Sequence, residues 1–158
     1  MAVISLAVGT VYGASEFVAE QVADALKQAG HEVHWIESDS ASAISEQEET
    51  PLLVITSTTG SGDLPDNILP LFLDLKDQAP YLPQLHYGVI ALGDSSYGET
   101  FCGGGRQFDE LLTELGARRI GARLQIDATE TMEPERLALA WLPQWLSQLT
   151  SALATADE

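Results

Sequence analysis

The sequence has only one cysteine, Cys102, among its 158 residues. An internal disulfide framework is therefore excluded, as is any zinc or iron–sulfur site built from several cysteines. Because disulfides accumulate in oxidising compartments, this scarcity favours a reducing one.

Basic residues are also scarce, since seven Lys and Arg stand against 24 Asp and Glu and give a formal net charge of −17. A body of this charge is repelled by nucleic acid and by anionic membrane surfaces. We therefore expect no nucleic-acid partner and no membrane partner. A partner with a basic surface is favoured instead.

Long apolar runs are absent as well, because no segment approaches the roughly 18 apolar residues that a membrane span requires. Residues 1–8 are apolar but lack the basic region and the cleavage site of a signal peptide. With 45% hydrophobic and 20% charged residues, the composition is that of an ordinary globular protein. We expect one domain spanning residues 1–158, in the cytoplasm.

Strand-like and helix-like segments alternate along the chain. Short apolar runs predict strands, and apolar residues at three- and four-residue steps predict helices. Such alternation is typical of a parallel sheet with helices on both faces, in which ligands bind beyond the carboxyl ends of the strands. The predicted strands are 2–8, 31–37, 52–56, 87–92 and 121–127, the predicted helices are 15–29, 69–76, 107–115 and 134–153, and 38–50 is predicted to be a solvated connection.

The loop after the first strand, residues 9–15, reads Gly-Thr-Val-Tyr-Gly-Ala-Ser and runs directly into a helix. Its backbone amides, the helix N-terminus and the hydroxyls of Thr10, Tyr12 and Ser15 can surround a phosphate without a cation. The lysine of an ATP-binding P-loop and the GxGxxG of a dinucleotide fold are both missing. An ordinary loop before a capped helix remains the alternative.

The loops after the third and fourth strands, residues 57–67 and 93–105, are also rich in glycine and hydroxyl residues. Glycines allow the backbone to approach a flat ligand closely, and Asp66 or Asn67 can cap the next helix. Tyr97 is the candidate for stacking on a ring, with Phe101 the candidate for the core. Three such loops in succession are a stronger signal than any one of them.

The segments GTVYGAS, STTGSGDLPDN and ALGDSSYGETFC together resemble the flavodoxin family. The similarity is closest to the short MioC-type FMN-binding proteins and to the FMN domain of sulfite reductase flavoprotein, and it covers nearly the whole chain. It implies an α/β, flavodoxin-like three-layer sandwich with a five-stranded parallel sheet of order 2-1-3-4-5, helices on both faces and FMN as a non-covalent cofactor.

The resemblance also implies which residues bind FMN. The first loop would hold the phosphate, the second would line the ring and ribityl chain, and the third would hold the other face. Tyr97 matches the ring-stacking tyrosine of the family, and Gly60 matches the peptide whose carbonyl accepts a hydrogen bond from N5 of the reduced flavin. Thr59 stands where diflavin reductases place an aromatic, and the third loop is one residue longer than in sulfite reductase. The residues carried over are Thr10, Val11, Tyr12, Gly13, Ala14, Ser15, Ser57, Thr58, Thr59, Gly60, Gly62, Leu92, Gly93, Asp94, Tyr97, Thr100, Phe101 and Cys102.

The implied function is that of a low-potential electron carrier and not of a stand-alone enzyme. Electrons would come from a separate, basic-surfaced NAD(P)H-dependent flavin reductase and pass to an acceptor redox enzyme. The carrier is expected to be a monomer, with Asp63, Asp66, Asp94 and Glu99 near the ring opposing the addition of an electron.

Two alternatives remain beside this one. An FMN-dependent NAD(P)H:quinone reductase-like enzyme would need a pocket over the ring, and no insertion is evident to build one. A flavin-free interaction module is the other, against which the intact loops argue.

Several other residues are expected to be structural. Trp141 and Trp145 read as the core stripe of the last helix, which Pro143 should kink or delay. The three histidines lack acidic partners at triad or metal-like spacing. Cys102 is expected to be a small buried hydrophobe, even where it approaches the flavin.

Overall fold

The computed structural model describes residues 3–10, 13–58, 63–93 and 102–156. Strands and helices alternate through most of this length, as the periodicity predicts. In chain order the elements are β1 (Val3–Gly9), α1 (Ala14–Gln28), β2 (Glu32–Trp35), α2 (Ser42–Ser45), β3 (Leu52–Thr56), α3 (Leu69–Gln78), β4 (His86–Gly93), α4 (Gly103–Glu114), β5 (Arg118–Arg119), β6 (Leu124–Asp127) and α5 (Pro134–Ala156).

The strands form one parallel sheet of order β2-β1-β3-β4-β5, with β6 also paired to β4. This confirms the predicted 2-1-3-4-5 order. The fifth position is divided between β5, beside the start of β4, and β6, beside its end. The prediction of a single strand over 121–127 was wrong at its start, because Gly121 has φ of +70° and breaks the extended backbone before Leu124.

Helices cover both faces of the sheet, and each face has its own apolar core. In β3, Leu52 and Val54 pack with α3 and α4, whereas Leu53 and Ile55 pack with α1 and α5. This alternation follows from the two-residue period of a strand. All five residues of β3 are buried, which places it at the centre of the molecule.

Helix α4 begins at Gly103, four residues before the predicted start at position 107. Its glycines disfavour a helix on propensity alone. A Cβ at Gly104 would lie 2.7 Å from the carbonyl oxygen of Ser57, and one at Gly105 would overlap Ala91. Close packing against the sheet therefore accounts for the glycine-rich first turn.

The segment 38–50 is not wholly solvated, contrary to prediction. It contains the short helix α2, with Ala41 and Ile44 buried against the α3–α4 core. The amide of Ala41 donates a hydrogen bond of 2.6 Å to Oδ2 of Asp74 in α3. The amide of Gln84 also donates a hydrogen bond of 2.8 Å to Oε1 of Glu48, so this connection contacts the rest of the molecule at several points.

Helix α5 runs without interruption through Pro143, so of the two effects expected of this proline, a kink or a delay, the delay does not occur. Trp145 is buried and stacks on the partly buried Trp141 at 5.8 Å between ring centroids, which confirms the core assignment of both. Pro70 lies in the first turn of α3, where a missing amide hydrogen costs little.

Candidate functional site

The strands place three predicted site segments at one edge of the sheet. The final residues of β1 and β3, Gly9 and Thr56, pair with each other, and Thr56 also pairs with Ala91, two residues before the end of β4. The amide of Ser57 continues this pairing by donating to the carbonyl of Gly9 at 2.9 Å. The segments that leave these strand ends therefore start side by side.

The first segment forms a turn closed by its own threonine. Thr10 Oγ1 accepts a hydrogen bond of 2.7 Å from the amide of Gly13, and Gly13 has φ of +88° at the N-cap of α1. The Thr10 hydroxyl hydrogen is not used in this contact and can be donated to an anion. Val11 and Tyr12 lie outside the described residues.

The N-terminus of α1 fits a phosphate. No side-chain hydrogen bond from the described residues caps it, and a Cβ at Gly13 would find no atom within 4 Å. The backbone of Ala14 and Ser15 forms its first turn. A helix N-terminus with open amides attracts negative charge. These residues fit the phosphate group of a flavin nucleotide without any basic side chain.

The second segment is tied to both its neighbours. Ser57 Oγ lies 2.5 Å from Oγ of Ser15, which is fully buried in α1. Thr58 Oγ1 accepts a hydrogen bond of 3.1 Å from the amide of Gly104 in α4. The structure thus brings Ser57 and Thr58 together with the first and third segments, whereas Thr59, Gly60 and Gly62 lie outside the described residues.

The third segment begins at Leu92 and Gly93 and is described again from Cys102. Leu92 is buried and Gly93 is half-buried at the end of β4. The amide of Ala128 donates to the carbonyl of Gly93 at 2.8 Å, which joins this edge to the turn after β6. The residues between them that were predicted to bind FMN, Asp94, Tyr97, Thr100 and Phe101, lie outside the described part of the chain.

Cys102 is fully buried at the N-cap of α4, with φ of +54°. Its thiol lies 3.5 Å from the carbonyl oxygen of Ala91 and 4.0 Å from that of Ile126. Burial raises the pKa of this thiol to about 11, with smaller contributions from backbone and charged neighbours. Cys102 therefore packs behind the edge as an un-ionised side chain.

Sequence reasoning missed Asn67 as a site residue and assigned it, with Asp66, to capping α3. The N-cap of α3 is Ile68, with no side-chain hydrogen bond. Asn67 instead bonds to the backbone of Val8 and Thr10, on either side of Gly9. The pattern of an asparagine before a helix suggests a cap, and no local signal points across the fold to β1.

The basic residues are distributed unevenly between the two edges of the sheet. Acidic side chains crowd the carboxyl edge of the sheet, where Arg106 and Arg136 are the basic residues present, and Arg136 is paired with Glu133 at 3.0 Å. Four of the seven basic residues lie at the opposite edge. The exposed acidic residues of the carboxyl edge in the described ranges are Glu16, Glu37, Asp39, Asp63, Asp66, Glu130 and Glu133; the basic residues opposite are Lys27, Lys76, Arg118 and Arg119.

Within the described ranges, no three His, Cys, Asp or Glu side chains come close enough together to hold a metal ion. His86 is buried, and its pKa is lowered by desolvation and then by the charge of Arg118.

No helix in the part of the chain that the structure describes has the length and apolar character that crossing a membrane would need.

Comparison with known proteins gives consistent matches. The family model described as flavodoxin matches residues 6–141. The chain is 50% identical over 145 residues to flavodoxin YqcA of Escherichia coli, covering 92% of this chain and 97% of that protein. It is 35% identical over 153 residues to the protein MioC of the same organism, covering 94% and 99%. A solved cysteine-to-serine variant of flavodoxin from Pseudomonas aeruginosa superposes with a TM-score of 0.84 at 42% identity, covering 94% and 99%.

These matches confirm the resemblance seen in the three loops, and they do not favour the quinone reductase alternative. The cofactor is FMN, and the protein is an electron carrier that exchanges electrons with redox partners. Its sheet order, the family model that matches residues 6–141 and its similarity to known flavodoxins show that the chain belongs to the flavodoxin family.

Proposed function

We propose that FMN lies at the carboxyl edge of the sheet, with its phosphate at residues 10–15 and its ring between residues 57–62 and 93–102. The support is the convergence of the described parts of these segments, joined by the Ser15–Ser57 and Thr58–Gly104 contacts. The phosphate segment, residues 10–15, carries hydroxyl and backbone donors and no basic side chain. Bound FMN supplies the redox chemistry, and the chain supplies binding and electrostatics.

We propose further that the carrier works at low potential. The observation that carries this is the exposed acidic edge, which holds seven described carboxylates around the proposed site. A carboxylate ~10 Å from a flavin opposes the addition of an electron by ~1.7 kcal/mol at an effective dielectric of ~20, before salt screening. For a one-electron couple this corresponds to ~70 mV. Because amides and hydroxyls would hold the phosphate, the positive side chains at this edge are Arg106 and Arg136, against seven described carboxylates.

The same edge selects the partners. Electrons enter from a separate NAD(P)H-dependent flavin reductase with a basic surface and leave to an acceptor redox enzyme that presents a similar surface. Opposite charge raises the rate of productive encounter. The seven exposed carboxylates described at this edge present negative charge to such a partner. We propose that it acts as a monomer, as a single domain over residues 1–158.

The decisive experiment compares two double variants of equal net charge. Asp63→Asn with Asp66→Asn removes two carboxylates from the proposed flavin edge. Asp77→Asn with Glu114→Gln removes two exposed carboxylates from the end of α3 and the end of α4, at the other edge. Only the first pair should raise the FMN reduction potential, by tens of millivolts, and weaken the salt dependence of reduction by an NADPH-dependent flavodoxin reductase.

Equal effects from both pairs would show that net charge alone matters and would overturn the role of this edge. A wild-type potential that is not below that of free FMN would overturn the low-potential assignment. For the ring, Tyr97→Ala should weaken FMN binding by ~1–3 kcal/mol, on the scale of base–aromatic stacking, while Tyr97→Phe should retain it. Unchanged affinity in Tyr97→Ala would remove this tyrosine from the site.

A further inference from the structure

Asn67 lies beside the end of β1, where the backbone of that strand no longer has β2 as a hydrogen-bonding neighbour. On the β2 side of β1, the last strand-like hydrogen bond runs from the amide of Ile36 to the carbonyl of Leu6 at 2.9 Å. In a parallel ladder the carbonyl of one residue and the amide two residues later point to the same side. The carbonyl of Val8 and the amide of Thr10 therefore face the side on which β2 has already ended.

The side-chain amide of Asn67 fills that gap. Its Nδ2 donates to the carbonyl of Val8 at 2.9 Å, and its Oδ1 accepts from the amide of Thr10 at 2.9 Å. In a parallel sheet, a residue of the neighbouring strand donates to the carbonyl of one residue and accepts from the amide two residues later. The side-chain amide of Asn67 makes the same pair of hydrogen bonds. Asn67 thus extends the sheet by one residue with a side chain, opposite Gly9.

Gly9 is also fixed on the side that faces β3. Its carbonyl accepts from the amide of Ser57 at 2.9 Å, and a Cβ on it would overlap Thr56 Oγ1 and lie 2.6 Å from Cγ2 of Ile68. Ile68 follows Asn67 directly. The turn before α3 therefore packs on Gly9 through Ile68 and, through Asn67, forms hydrogen bonds with the residues on either side of Gly9. The chain therefore leaves β1 in one fixed direction.

Hydrogen bonds connect this strand end to the start of α1. Thr10, fixed by Asn67 through its amide, accepts from Gly13 through its hydroxyl, and the carbonyl of Gly13 accepts from the amide of Phe17 at 3.0 Å in α1. Asn67 is thus the first member of a hydrogen-bond series that ends at the N-terminus of α1.

We propose that Asn67 is a positioning residue for the flavin phosphate, holding the strand end and Thr10 so that the first turn of α1 meets the anion already in place. The inference rests on the proposed placement of FMN. Preorganised groups bind better because less ordering is left to the moment of binding. The benefit falls on the phosphate and not on the ring, so Asn67 favours FMN over riboflavin.

The test is the ratio of two affinities in the full chain freed of flavin. In Asn67→Ala the Kd for FMN should rise about tenfold, the scale of one or two net hydrogen bonds, while the Kd for riboflavin changes less than about twofold. Gln78→Ala, which removes an exposed amide at the far end of α3, should change neither constant. A merely structural role for Asn67 would weaken both flavins alike, and that result, or no change, would overturn the proposal.

Amide hydrogen exchange gives a second readout that does not depend on flavin. In Asn67→Ala the amide of Thr10 should exchange faster, while that of Ile36, bonded to the same side of β1, should keep its wild-type rate. Equal acceleration of both amides would indicate general destabilisation and contradict the inference.

Failure of the inference is distinguishable from failure of the proposed site. A wild-type protein that binds riboflavin as tightly as FMN would overturn the placement of the phosphate at residues 10–15. A wild-type preference for FMN that survives in Asn67→Ala would overturn the role of Asn67 alone.

Discussion

The hydroxyl of Thr58, in the segment after β3, accepts a hydrogen bond of 3.1 Å from the amide of Gly104 in the first turn of α4. The residue at the N-cap of α4, Cys102, makes no side-chain cap of its own. Thr58, which is distant in the sequence, therefore accepts the hydrogen bond of a helix N-terminal amide that a serine or aspartate at the N-cap usually accepts.

The Thr58 contact predicts that Thr58→Val destabilises the protein by ~1 kcal/mol, the usual cost of losing a helix cap. Thr58→Ser keeps the hydroxyl and should stay close to wild type. Urea unfolding monitored by circular dichroism measures both. Equal stability of the valine and serine variants would show that the cap contributes nothing.

Gly88 in β4 is predicted to tolerate no side chain. A Cβ there would overlap Nε1 of Trp145 and lie 2.8 Å from Cε2 of the same indole. Gly88→Ala should therefore cost ~1–3 kcal/mol by overpacking. Adding Trp145→Phe removes the crowded part of the ring and should recover part of the loss, so the double-mutant cycle should give a favourable coupling. Strictly additive losses would contradict the contact.

Asp109 is buried in α4 and is predicted to be the main electrostatic anchor of the far edge. Its Oδ2 accepts from Arg119 at 2.7 Å and from Arg123 at 2.6 Å, and its Oδ1 accepts from the hydroxyl of Tyr87 at 2.5 Å. Asp109→Asn leaves two guanidinium groups without their carboxylate and should cost ~3 kcal/mol. The neighbouring exposed Glu110→Gln should stay within ~0.5 kcal/mol. Chemical denaturation of the two variants would show whether the losses differ.

Cys102 is predicted to be unreactive in the native protein. Because burial raises the pKa of its thiol to about 11, its thiolate fraction at pH 8 is ~0.001, and the fraction grows only as the pH approaches that value. A thiol-specific disulfide reagent such as DTNB should therefore modify it at pH 8 only after guanidinium unfolds the chain. Rapid modification of the folded protein, with full retention of structure, would contradict the burial.

Hydrophobic patterning predicted β1 to β4, β6 and the four long helices, because apolar runs, alternation and helical spacing are visible in the sequence. It missed β5, which consists of Arg118 and Arg119. It located β3 at its observed bounds. It placed α4 too late and treated α2 as solvated, because glycine propensity and polar composition are local quantities. Gly104 and Gly105 are helical because Ser57 and Ala91 leave no room for larger residues, which concerns packing across the sheet.

The candidate site, like the fold, was predicted only in part from the sequence. Small and hydroxyl residues after successive strands predicted a phosphate-binding turn at Thr10 and Gly13, since a parallel sheet brings such loops to one edge. The sequence does not show which group each hydroxyl bonds to, nor that Asn67 bonds to the backbone of β1.

The sequence by itself determined the alternation of strands and helices, the phosphate-binding composition of the first loop and the acidic character of the protein, because periodicity, loop composition and charge are written residue by residue. The order of the sheet and FMN as the cofactor followed from the resemblance of the three loops to the flavodoxin family. Only the tertiary structure decided that Thr58 caps α4, that Cys102 lies behind the edge and that Asn67 stands in for a missing strand residue. Each of these depends on groups separated by tens of residues, and their hydrogen bonds and overlaps exist only once the chain has folded.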